Sequence, residues 1–177
     1  NEIRKSLDFL ASTRRDVPER QRSLRAVFES SWEKLSEAEQ QAFTALSVFR
    51  GGFTREAAEQ VTGAAIASLV DKSLAQRSGE RFEMHEVTRQ FAEEKLSARK
   101  TPAGQARAAH AAFFSEWAKK FEKIDERESF PAMNMELENV RAAWAWAVEQ
   151  KHIGSLANMA PFTRRYLDLQ GRYREGI

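Results

Sequence analysis

The chain has 177 residues, a net charge of +2, 31% charged residues and no cysteine. This excludes disulfides and thiolate metal sites, and both signs are too evenly interspersed for a protein held to nucleic acid by bulk charge. No run approaches the roughly eighteen apolar residues of a membrane span and no signal-peptide pattern opens the chain, so a soluble, cytoplasmic protein without membrane contact is expected.

A chain of this length buries about two-thirds of its unfolded surface, which fits one or two compact units. Starting at Asn1 and stopping at Ile177 just after a turn signal, it reads as a piece of something longer.

Ile3, Leu7 and Leu10 recur at helical spacing, so residues 1–19 are expected to form a lead-in helix and loop from an upstream domain. Asp16, Pro18 and Glu19 then supply a helix start, and Leu24, Phe28, Trp32 and Leu35 its apolar stripe. Ser36 and Glu39 form a capping box for a further helix carrying Phe43, Leu46 and Phe49, which Gly51-Gly52 stops. Thr54 caps a short helix through Val61, Gly63 breaks it, and Ala64 to Lys72 forms another, a helix-turn-helix spacing. A two-stranded hairpin follows, with Leu74 on one strand, a turn at Ser78-Gly79, and Phe82 and Met84 on the return strand. This order predicts a winged-helix domain over residues 20–100.

Periodicity lapses from Ser97 to Gln105, where Pro102 and Gly104 mark a boundary between units. Residues 101–177 are expected to be a helical linker entering tetratricopeptide-like repeats. Ala106, His110, Phe113, Phe114, Trp117, Phe121 and Ile124 line one helix, and Pro131 breaks the next connection. Leu137, Val140, Trp144 and Val148 line a second helix, and Leu156 to Leu169 form a third that Pro161 starts or kinks. The fold class is therefore mainly α: a winged helix followed by an α-helical, repeat-like array.

The junction Met84-His85-Glu86, where the wing enters the amphipathic helix from Val87 to Leu96, is the best candidate site. A histidine at a helix N-terminus can donate to a phosphate oxygen, and the helix dipole favours negative charge there. Catalysis has no support: three separated histidines (His85, His110, His152) have no metal-ligand spacing, and no phosphate loop is present. The piece is thus expected to be non-catalytic, with no cofactor of its own. His110 and His152 read as helix-surface residues. Trp117 and Trp144 read as core anchors, with Trp146 facing a neighbouring repeat. The would-be recognition helix from Ala64 to Lys72 has no Asn, Gln or Arg for base edges, which argues against direct DNA binding despite Arg77 and Arg81 on the wing.

Asp16 to Phe28, Leu46-Ser-Val-Phe-Arg-Gly-Gly-Phe53, Leu69-Val-Asp-Lys-Ser-Leu74 and Met84-His85-Glu86, in this order, resemble the bacterial STAND family. These are NB-ARC-like signal-transduction ATPases. The resemblance implies that the winged helix packs on an upstream nucleotide-binding domain and that His85, in place of the histidine of an M-H-D motif, contacts the β-phosphate of bound ADP. Met84 matches the motif and Glu86 departs from it, standing where Asp is expected. ADP or ATP would belong to the parent protein, which would be the ATPase. Gly171, Tyr173, Glu175 and Gly176 look like the start of a first repeat. The expected interaction surface is Trp146, Tyr166, Leu169 and Tyr173, an apolar edge for protein partners and for self-association. The alternative is a DNA-binding winged-helix transcription regulator with a helical dimerisation or sensing domain.

Overall fold

A computed structural model of the chain describes residues 19–64 and 66–169. The described part is mainly α-helical, with a small three-stranded antiparallel sheet.

Helix α1 spans Glu19–Glu33 and lies against α5 (Glu86–Ser97), with Phe28 stacked on Phe91 at a centroid separation of 5.4 Å. Lys95 sits 5.4 Å over the Trp32 ring and pairs with Glu29 at 2.7 Å. Such partly exposed pairs add little beyond the ring burial they border. Helix α2 (Glu37–Leu46) starts as its capping box dictates: Ser36 Oγ accepts from the Glu39 N–H and Glu39 accepts from the Ser36 N–H at 2.8 Å. It ends at Leu46, so Phe49, expected on the helix, lies just past it and is buried from the following loop.

Gly51 and Gly52 carry φ of 74° and 88°, which turns the chain directly into strand β1 (Phe53–Thr54). Thr54 caps α3 (Arg55–Thr62), and Gly63, at φ 67°, ends it. Helix α4 runs only from Ala67 to Asp71, shorter than the expected span. Strands β2 (Gln76–Ser78) and β3 (Arg81–Glu83) form the hairpin; Leu74 is buried ahead of β2 and not in it. The sheet order is β1-β3-β2, with Phe53 opposite Phe82. The hairpin therefore gains a third strand, which at two residues is too short to show any alternation in the sequence.

Helices α6 (Lys100–Lys120), α7 (Glu126–Glu149) and α8 (Ile153–Leu169) complete the described chain. Helix α6 begins inside the stretch read as a lapse. Pro102 falls in its first turn, where backbone N–H groups have no helical acceptor anyway, and Gly104 is simply tolerated. Pro131 does not break the connection but lies inside α7 on an exposed face, where the carbonyl it deprives of a partner is open to hydration. Val148 is 53% exposed and does not line the core.

Helix α6 is the shared wall, contacting α2, α3 and α5 on one side and α7 and α8 on the other. Phe43, Phe53, Phe91, Phe114 and Phe162 are all fully buried in one continuous apolar cluster. Each such side chain contributes roughly 1.5 to 3 kcal/mol of burial free energy.

Candidate functional site

The β3–α5 junction is set by the sheet on one side and the α5 N-terminus on the other. His85 is the N-cap of α5 and is exposed; its Nδ1 accepts from the Val87 N–H at 3.4 Å. With Nδ1 used as an acceptor, a neutral ring carries its proton on Nε2, which is left as a donor. Met84 is half-buried behind it.

Glu86 opens α5, and its carboxylate takes two hydrogen bonds from Arg89, both 2.8 Å, and one from Gln90 at 2.8 Å. The Arg89 guanidinium holds the Glu86 carboxyl below its ordinary range, with Gln90 assisting against the opposing effect of burial. Arg89 also binds Glu93 at 2.7 Å and the Ser47 carbonyl at 3.3 Å. Arg50 donates to the carbonyls of Ser47 at 2.7 Å and Phe49 at 3.1 Å, and to Glu93 at 3.2 Å. Both arginines thus cap the C-terminal end of α2, where the helix dipole favours cations.

Between the Arg50–Gly52 loop and the junction lies a cleft of about 290 Å³, lined by Phe49, Gly52, Met84, Glu86 and Arg89 among others. Its two guanidinium groups are spent on Glu86, Glu93 and carbonyl oxygens. His85, whose neighbours Met84 and Glu86 line the cleft, does not itself line it, and its outer nitrogen is uncommitted to α5.

A second set of polar residues lies behind the cleft and was not foreseen from the sequence. Asn139 and Glu136 of α7 are buried, at 0% and 5% exposure. They bond to each other at 2.7 Å, and Glu136 pairs with Arg81 of β3. Arg81 Nη2 is buried without a hydrogen-bond partner in the protein. His110, expected on a helix surface, is instead buried at 3%, between Phe49 at 5.1 Å and Phe114 at 4.8 Å. Burial pushes its pKa down to about 4, and the nearby Arg50 charge acts in the same direction. The available signal was the i, i+3 pair Glu136/Asn139 beside an apolar stripe, which by itself reads as solvated.

The remaining expected residues are scattered. Trp146 is half-buried, 6.0 Å from the His152 ring, which is exposed and caps α8 through Ser155. Leu169 is exposed at 58%. Tyr166, expected on an open apolar edge, is instead fully buried, with Phe130 edge-on at 5.3 Å and its hydroxyl bonded to Asn134. Tyr173 lies outside the described residues, as do the expected lead-in helix and the Gly171–Gly176 turn.

The cations that could touch DNA are largely engaged. Lys72 pairs with both oxygens of Glu39, at 2.6 and 2.7 Å, Arg81 with Glu136, and Arg77 donates to the Gly79 carbonyl at 2.8 Å. Among the described residues no cluster of His, Asp and Glu is suited to a metal ion, and no helix is long and apolar enough to cross a membrane.

No protein-family profile matches the chain, and no solved structure does. Over 188 aligned positions, covering 96% of this chain, it is 29% identical to proteins of Mycobacterium bovis and Mycobacterium tuberculosis named as candidate HTH-type transcriptional regulators. The chain spans 21% of the length of those proteins.

Proposed function

We propose that the chain is a segment of a transcriptional regulator. In this reading residues 20–100 form a winged helix that senses a bound nucleotide, and residues 101–177 carry its state into a tetratricopeptide-type sensor region. One observation carries the regulator reading: similarity along 96% of the chain to proteins whose names describe HTH-type transcriptional regulators.

The finer assignment, to a STAND-type ATPase, is supported by the Met84-His85-Glu86 junction and by the order α3, α4, wing, α5. The exposed His85 ring has its inner nitrogen consumed by the α5 cap and its outer one left to donate to a phosphate oxygen. The nucleotide, ADP or ATP, belongs to an upstream domain of the same chain, and this segment works without catalysis, in the cytoplasm. His85→Ala in the full-length protein is expected to raise basal output from a reporter promoter. Unchanged output at equal protein level would remove the sensing role.

A second reading, in which the winged helix contacts DNA itself, is favoured by the helix-turn-helix in the relatives' names. Because the chain spans 21% of those proteins, the helix-turn-helix so named lies either inside or outside this segment. Fluorescence anisotropy with duplex DNA separates the two. Binding that weakens steeply from low to physiological salt supports direct contact, and no binding at low salt supports the sensing role.

A further inference from the structure

Helix α7 reaches the cleft from behind with one turn. Asn139 Oδ1 accepts from the Arg50 N–H at 2.6 Å while its Nδ2 donates to the Gly52 carbonyl at 2.9 Å. A single side-chain amide therefore brackets the whole Arg50–Gly52 loop, one wall of the cleft. The same Nδ2 donates to Glu136 Oε2 at 2.7 Å, and the other oxygen of Glu136 pairs with Arg81 on β3, the strand that leads into Met84 and His85. The opposite wall is thus tied to the same turn. His110 of α6 backs the arrangement, with Nε2 3.5 Å from Asn139 Oδ1.

Each bond matters because the Asn139 side chain is fully buried. A buried amide that loses a partner has no water to replace it, so letting go of either end of the loop carries a desolvation cost. Displacing α7 by a fraction of a turn would break contacts to both walls together. The loop cannot absorb such a shift within itself: a Cβ at Gly52 would meet the Phe82 carbonyl at 2.9 Å, so the loop already abuts β3.

We propose that Glu136 and Asn139 form a clamp through which α7 sets the separation of the cleft walls and the placement of His85. Movement of the helical half then reshapes the cleft, and a ligand at the cleft is felt along α7. The regulatory meaning rests on the sensing role proposed above; the clamp itself does not.

Amide hydrogen exchange on the full chain tests the clamp without any nucleotide, so its outcome is independent of whether ADP is sensed. Asn139→Leu is expected to speed exchange about tenfold or more at both Arg50–Phe53, which includes the Arg50 N–H that Asn139 accepts from, and Met84–Val87, while α8 stays protected. Leu137→Ala, a cavity in the same helix outside the clamp, should not single out those two segments. Glu136→Gln, which keeps size and fold, should loosen Met84–Val87 more than Arg50–Phe53, and it decides the matter if the Asn139 variant does not fold. Acceleration spread evenly over the chain, or absent from Met84–Val87 in the Glu136 variant, would overturn the proposal.

Discussion

Asn139 and Gly52 lie 87 positions apart in sequence and are joined by a hydrogen bond of 2.9 Å. Together with the 2.6 Å bond from Arg50, it ties a helix of the C-terminal half to the loop that walls a cleft in the N-terminal half. Replacing Asn139 by leucine leaves the Arg50 N–H, the Gly52 carbonyl and Glu136 short of partners. We expect a loss of about 2 to 4 kcal/mol in urea denaturation, well beyond the effect of a surface substitution.

Gly52→Ala meets two obstacles, a φ of 88° and the Phe82 carbonyl 2.9 Å from the new methyl. Gly51→Ala meets only the first, at φ 74° with open space around it. The first substitution should cost about 2 to 3 kcal/mol and the second about 1, read as two different drops in thermal midpoint. Equal drops would show that the contact with β3 is not felt.

Protonation of His110 gives the stability a defined pH dependence. Its pKa is about 4 in the fold against 6.5 in the open chain, so the unfolded state binds the proton first. Stability should therefore be greatest above pH 6.5 and fall as pH drops towards 4, by roughly 3 kcal/mol in all. His110→Gln should flatten that slope. Glu39, held at about 2 by Lys72 and the Ser36 N–H, has a depressed pKa and loses its contribution only below 4.5, outside most of this window. Denaturation midpoints at a series of pH values check the sign.

His85 is exposed and its cap bond is long, so His85→Ala should change stability by no more than about 1 kcal/mol. A larger loss would mean that the residue is structural and that any functional effect is indirect.

Much of the N-terminal half was legible because its signals are local. The capping box at Ser36, the Thr54 cap, the left-handed Gly63 and the Ser78-Gly79 turn each act over three or four residues. Prolines misled in the helical half, since Pro102 sits in a first turn and Pro131 on a solvent face, two places where the missing N–H costs little. Tyr166 and His110 were misjudged for a different reason. A polar atom at one end of a ring says nothing about whether a distant partner, Asn134 or Asn139, will meet it inside the core. The His85 junction could be found from a strand running into a helix, but the clamp behind it spans more than fifty positions and has no local signature.

The rate of ADP release from the full-length protein, with and without His85→Ala, tests the sensing role most directly. One hydrogen bond to a charged phosphate contributes about 1.5 to 3 kcal/mol, so release from the variant should be roughly ten- to hundredfold faster. An unchanged rate would contradict the account.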